Sequence, residues 1–174
     1  MTIAENILAR LSSSPPLGIQ LKRLVQVGIV VADLECTTQL LTALFGLGPF
    51  RFVLWPDRPE SKYHYRGIEE HVRIKQAFVQ LGEIEVELIQ PLEGRSGYQD
   101  FLSETGGGIH HLLFEVPDMD PVIQKLADSG ITVLQAGTGI RPGTRWALMD
   151  TQKLLGFLVE LRHRPGESDG TSIS

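Results

Sequence analysis

Four polar residues interrupt four otherwise apolar strand patterns. They are Gln26 in "RLVQVGIVVA", Glu87 in "EIEVELIQ", His111 in "GGGIHHLLFEV" and Glu160 in "GFLVELRH". Successive strand side chains point to opposite faces. Val25, Val27, Ile29 and Val31 therefore share one face and leave Gln26 on the other with Gly28. Ile84, Val86 and Leu88 oppose Glu83, Glu85 and Glu87, and Val159 and Leu161 oppose Leu158, Glu160 and Arg162. The adjacent histidines cannot serve one site. His110 goes with Leu112, Phe114 and Val116, toward the helical layer, and His111 goes with Leu113 and Glu115. A sheet backed by helices buries one face completely. A few polar groups converging on the other face describe a concave pocket rather than a wet surface. One imidazole, two carboxylates and one amide oxygen suit a divalent cation of borderline hardness, with Zn, Co, Ni, Mn and Fe as candidates.

The elements that must position these groups can be read from turn and cap signals. After the first strand, Asp33 is a helix N-cap and Gly46 or Gly48 closes the helix. Residues 50–54 form a short strand, and "WPDRPESKYHYRGIEE" reads as a polar loop with two prolines. "VRIKQAFVQL" and "EIEVELIQP" are strands about a turn at Gly82-Glu83, and "GRSGYQDFLSETGGG" is a short helix with a glycine stop. Residues 108–116 form a strand, Asp118 starts a helix that Gly130 ends, and three strands follow at 131–136, "TRWALMD" and "GFLVELRH". Gln26 precedes Asp33 by seven residues (33−26), and His111 precedes Asp118 by seven (118−111). The strand–helix–strands order occurs twice, a weak internal repeat.

The 174 residues suffice for one domain with a sizeable core. A net charge of −5 gives no basic patch for nucleic acid and no polybasic membrane anchor, and no apolar run approaches a membrane span. Residues 1–21 read as an extension carrying a short amphipathic helix (Ile3, Ile7, Leu8, Leu11), not as a secretory signal. Cys36 is the single cysteine, so no internal disulfide forms and a cytoplasmic location is the default. The polar tail 164–174 is expected to be disordered.

"VQVGIVVADLE", "VELIQPLEG", "GGIHHLLFEV" and "GFLVELRH" resemble the vicinal oxygen chelate superfamily of glyoxalases, epimerases, extradiol dioxygenases and bleomycin-resistance proteins. They are most similar to the methylmalonyl-CoA epimerases, and the second histidine of "IHH" is the most specific feature. The resemblance covers residues 22–163. It implies an α+β fold of paired βαβββ modules, about 22–105 and 106–163, forming a curved, cup-shaped mixed sheet with helices outside. It implies a cation held by Gln26, Glu87, His111 and Glu160, with Gln26 paired to His111 and Glu87 to Glu160 by the repeat. Epimerases usually place histidine where Gln26 stands, whereas some glyoxalase I enzymes resemble this Gln-Glu-His-Glu set. The third-strand stretch "VRIKQAF" has no acid, and Gln76 is the nearest candidate there.

The activity so implied is metal-dependent isomerase or lyase chemistry that stabilises an enolate from a small carbonyl or acyl-CoA substrate. Glu160 is the first choice of base and Glu87 its counterpart. The alternatives are a glyoxalase I-like lyase and a non-catalytic small-molecule binder. An extradiol oxygenase prefers two histidines and one carboxylate around iron, against which Gln26 argues. A homodimer is also expected by resemblance.

Other candidates have plainer readings. Glu83 and Glu85 are expected to face solvent, as are His64, His71 and His163. Lys62, Arg66, Arg73 and Lys75 read as a solvated rim, while Arg141 and Arg145 have the chance to touch an anionic substrate. Trp55 and Trp146 line the pocket or fill the core. "GGG" before Ile109 lacks the lysine of a phosphate loop and reads as a turn. Cys36 reads as an inert thiol.

Overall fold

The computed structural model describes residues 2–12 and 15–166. In chain order the elements are α1 (Ile3–Ser12), β1 (Leu24–Val30), α2 (Leu34–Phe45), β2 (Arg51–Trp55), β3 (Tyr63–Tyr65), β4 (Ile68–Glu69), β5 (Arg73–Leu81), β6 (Ile84–Glu93), α3 (Gly97–Thr105), β7 (Gly108–Glu115), α4 (Asp120–Asp128), β8 (Val133–Thr138), β9 (Arg145–Met149), α5 (Gln152–Leu155) and β10 (Leu158–His163). All ten strands join one curled, mixed sheet in the order β2-β5-β6-β1-β7-β10-β9-β8-β3-β4. The expected α+β cup of paired modules is what forms.

The sheet has a near two-fold plan about its centre. β1 and β7 meet antiparallel; β1 runs parallel to β6, and β7 parallel to β10. Outward from the junction, β1-β6-β5-β2 is mirrored by β7-β10-β9-β8. The register repeats as well. Gln26 pairs with Glu85, two residues before Glu87, and His111 pairs with Leu158, two residues before Glu160. Each half thus offers its two polar residues with the same two-residue stagger, on the same face.

Helices α2 and α4 cover the convex side. Asp33 caps α2 by accepting from the Cys36 N–H at 2.9 Å, and Gly46 closes it at φ 67°, a left-handed conformation glycine adopts freely. Leu34 and Leu41 of α2 pack on Ala77 and Leu88, while Val122, Ile123 and Leu126 of α4 pack on Ala147, Val159 and Leu161. Each fully buried aliphatic side chain contributes about 1.5–3 kcal/mol. On the concave side, Tyr98, Phe101 and Leu102 of α3 pack against Val30, Ile74 and Ile89, so one end of the cup is apolar.

Three local expectations need correction. The stretch read as a polar loop contains the β3–β4 hairpin. Its Tyr63 and Tyr65 are buried and pair with β8, and the Tyr63 ring sits 5.9 Å from Trp55 and 5.8 Å from Trp146. Three residues between prolines and charges show no usable alternation. Helix α4 starts at Asp120, not Asp118. Asp118 Oδ1 accepts from the Asp120 N–H at 3.1 Å in a turn that precedes the helix, and Pro121 occupies its first turn. The short helix α5 was not anticipated. The N-terminal helix forms as expected, with Arg10 donating to the Asp128 carbonyl at 3.0 Å and Leu8 exposed. The tail expectation falls mostly on residues 167–174, outside the described residues. No helix among the described residues is long and apolar enough to cross a membrane.

Candidate functional site

The cup encloses a cavity of about 380 Å³ lined by Gln26, Glu87 and Glu160. His111 is fully buried and stands beside two of these groups rather than on the cavity wall. Its Nε2 lies 2.9 Å from Glu160 Oε2 and 3.5 Å from Glu87 Oε2. Glu87 and Glu160 are each only 6% exposed, so neither carboxylate is a solvated surface group.

Local sequence explains how the imidazole fits. Gly28 is the cross-strand partner of His111, and a Cβ there would lie 1.9 Å from the ring Cε1. Only glycine leaves that space. Behind the ring, His111 Nδ1 is 3.1 Å from His110 Nδ1. His110 does not face the outer helical layer as expected. Its ring packs on α3, on the concave side, with ring centroids of Tyr98 and Phe101 each 5.0 Å away. The register shift between Gly28 and Ile29 leaves it as an extra residue in β7 and breaks the alternation there.

The electrostatics of the two histidines diverge. Burial holds His110 well below the usual imidazole range, and the neighbouring His111 charge adds to this. Burial, the largest single influence on His111, also favours its neutral form. The attraction of Glu160 and Glu87 together outweighs it and lifts His111 to about 9. A charged His111 then donates its Nδ1–H to a neutral His110. Burial raises Glu87 as well, opposed by His111.

The donor set fits a divalent cation. Ligand bonds of about 2.1 Å place neighbouring donors about 3.0 Å apart in an octahedron and about 3.4 Å apart in a tetrahedron. The separations of 2.9 and 3.5 Å are of that size. No group of three or more His, Cys, Asp or Glu among the described residues is preset around a cation position. The carboxylates are instead drawn onto the His111 proton. Nε2 has no properly directed hydrogen bond, so the buried atom facing the two carboxylates is the one a cation would take by displacing that proton.

Glu87, His111 and Glu160 thus come together. Gln26 shares the cavity, but its Nε2 donates to Glu85 Oε1 at 2.7 Å. That bond commits the nitrogen and leaves the amide oxygen as its available donor atom. Gln76 also lines the cavity and donates to Glu87. Glu85, expected to face solvent, instead lines the cavity with its side chain 27% exposed. Its place two residues before Glu87 was the signal for this. Tyr98 lines the cavity from α3, where strand alternation gives no clue. Trp55 and Trp146 both line it. Of the basic residues, Arg73 pairs with Glu93, Lys75 with Glu35, Arg66 with Asp100 and Arg145 with Asp120, all away from the cavity, whereas Arg141 lines it. Cys36 is exposed.

The family model of the Glyoxalase/Bleomycin resistance protein/Dioxygenase superfamily matches residues 25–147. The uncharacterized protein YqjC of Bacillus subtilis (strain 168) is 26% identical over 151 residues, spanning 84% of this chain and 96% of that protein. The mitochondrial methylmalonyl-CoA epimerase of Dictyostelium discoideum is 28% identical over 89 residues, 50% of this chain and 54% of that one. A Streptomyces coelicolor methylmalonyl-CoA epimerase variant in complex with 2-nitronate-propionyl-CoA superposes with a TM-score of 0.64 at 22% identity, over 84% of this chain and 97% of that chain. A methylmalonyl-CoA epimerase bound to methylmalonyl-CoA and NH4+ gives 0.63 at 22%, with the same coverage. At these identities the structural likeness speaks for the fold.

Proposed function

Because the chain belongs to the glyoxalase/bleomycin resistance protein/dioxygenase superfamily, we propose that it is a metal-dependent isomerase that removes and returns a proton α to a carbonyl. Epimerisation of an acyl-CoA of the methylmalonyl type is the reaction best supported. The observation that carries this reading is the buried His111 imidazole held between Glu87 and Glu160, carboxylates contributed by opposite halves of the cup.

Gln26, Glu87, His111 and Glu160 would hold the cation. When bound there, it supplies Lewis-acid polarisation of the substrate's carbonyl oxygens, which makes the α proton acidic enough to leave. Everything else falls to the chain. Glu160 takes the α proton as base, and Glu87 returns one from the opposite side of the planar carbon. Gln76 stands where a further acid would be needed, and its amide can neither take nor give that proton. It donates to Glu87 and orients the carboxylate. Trp55, Tyr63, Leu113 and Trp146 line the cavity and exclude water from the reacting carbon.

The test is α-proton exchange on methylmalonyl-CoA in deuterated water, with the protein loaded with a defined divalent ion. Exchange that is lost on chelation is expected. Absence of exchange with every divalent ion removes the reading. The amide at Gln26 favours one second reading, a glyoxalase-type lyase in which the proton returns to the adjacent carbon. Turnover of the methylglyoxal–glutathione hemithioacetal without methylmalonyl-CoA exchange would establish it.

A further inference from the structure

We propose that Tyr98 is a catalytic residue: its hydroxyl donates a hydrogen bond to the substrate oxygen on which negative charge gathers as the α proton leaves. The inference rests on the reaction proposed above and adds to it a donor that the cation and the strand residues do not supply.

Tyr98 reaches the cavity from the first turn of α3, and that turn is firmly held. Ser96 caps the helix by accepting from the Gln99 N–H at 3.1 Å, and the Gly97 N–H donates to Gln135 Oε1 at 2.9 Å. A Cβ at Gly97 would lie 2.4 Å from that oxygen, so a glycine is what admits the contact. The Tyr98 ring has its centroid 5.0 Å from that of His110 and joins the apolar cluster of Val30, Ile74 and Ile89. The residue is 5% exposed and lines the cavity. With the ring packed in this way, the hydroxyl end is what meets the open space.

Of the three tyrosines in the chain, two have an acceptor. Tyr63 donates to Gln135 Oε1 and Tyr65 to Asp100 Oδ2, each at 2.6 Å. The Tyr98 hydroxyl donates to no group among the described residues. The group set against its oxygen is Gln135 Nε2. The orientation of that amide is fixed, because the atom that receives the Gly97 N–H must be the oxygen. An amide nitrogen only donates, which leaves the phenol proton uncommitted. Buried tyrosine hydroxyls usually find a partner. Gln135 Nε2 is sealed from solvent, whereas the phenol oxygen keeps accessible surface, so the open position lies in the cavity.

The surroundings identify the acceptor. After burial, which keeps the phenol protonated, the charges of Glu160 and Glu87 act most strongly on it. Tyr98 therefore stands at the cation end of the cavity. A cation there engages those carboxylates, and the acceptor left for the phenol is an oxygen of the substrate. A neutral donor fixed in advance, in a site largely closed to water, favours the charge that develops over the uncharged carbonyl. The ligand class is a planar oxyanion whose adjacent oxygens can meet the cation and the phenol together.

The test uses Tyr98→Phe, which removes a single oxygen, in the full chain. Oxalate, a planar dianion with adjacent oxygens, is the binding probe. Titration calorimetry on Ni2+-loaded protein should show oxalate bound at least tenfold more weakly by the variant. Ni2+ affinity should stay within twofold, and the urea midpoint should not fall, since the hydroxyl has no acceptor in the fold to lose. α-Proton exchange on methylmalonyl-CoA should lose at least tenfold in kcat with KM within threefold. Equal oxalate affinity with equal exchange, or a parent that binds no oxalate, overturns the proposal. A tenfold loss of Ni2+ affinity or a lower urea midpoint also overturns it, because either makes the hydroxyl a support of the ligands or of the fold. A parent whose oxalate binding depends on Tyr98 but which exchanges no α proton keeps the donor and removes the reaction proposed above.

Discussion

Gly28 and His111 face each other across the antiparallel junction of β1 and β7, and the imidazole fills the space a side chain at Gly28 would need. The contact places the ring at the centre of the sheet, where the two halves of the cup meet. It also makes the site depend on a residue with no polar atom to offer.

Gly28→Ala is therefore expected to push the ring away from Glu87 and Glu160. Overpacking of this kind costs about 1–3 kcal/mol. Urea denaturation should show the loss, and calorimetry should show cation binding falling with it. A variant as stable as the parent that binds cation equally well would mean the ring has another place to go.

Glu160→Gln keeps the shape and removes the base. We expect α-proton exchange to fall about 10²-fold or more. Gln76→Ala, which removes only the amide that orients Glu87, should slow exchange far less. Deuterium incorporation followed by mass spectrometry measures both, and full exchange by the Glu160 variant would take the base role from it.

The metal-free protein should have a distinctive pH profile. His110 is held neutral in the fold, so below about 6.5 the unfolded chain binds the extra proton and stability falls with falling pH. His111 is raised to about 9, so its contribution is fully present below about 6.5 and is lost as pH rises through 9. The raised Glu87 acts in the same direction as His111. The urea midpoint of chelator-treated protein should decline from pH 6.5 to 9. Added cation, which replaces the His111 proton, should abolish the decline. A midpoint that is flat or rises over that range contradicts this charge assignment.

The core of the site was legible because strands write their faces into alternate residues. Glu87, His111 and Glu160 each break an apolar run and face the same way, and the structure joins them. What alternation cannot carry is register between strands. The two-residue stagger of Gln26 against Glu87, and its repetition in His111 against Glu160, appears only once the strands are paired. Nor can alternation say which partner an amide chooses, so the Gln26–Glu85 hydrogen bond was hidden. The β3–β4 hairpin escaped for a different reason. Its buried Tyr63 packs between Trp55 and the sequence-distant Trp146, and its Tyr65 hydroxyl donates to Asp100 of α3, contacts that no local alternation records.

Gln26 is the residue whose role is easiest to separate from the fold. Its amide oxygen is the donor the account needs, and its nitrogen is tied to Glu85. Gln26→Ala should lower cation affinity about tenfold or more while thermal unfolding changes little. Gln26→His should restore affinity and shift preference toward Zn2+, since imidazole suits that ion better than an amide oxygen does. Competition with a metallochromic chelator measures both. An alanine variant with unchanged affinity would take Gln26 out of the ligand set.

The central claim is that residues 26, 87, 111 and 160 share one cation. Crystals grown with Co2+ and measured at its absorption edge address it without any assay of turnover. The account predicts a single anomalous peak in the cup, about 2.0–2.2 Å from His111 Nε2 and from oxygens of Gln26, Glu87 and Glu160. Absence of a peak there, with His111 still paired to its two glutamates at saturating Co2+, would contradict it.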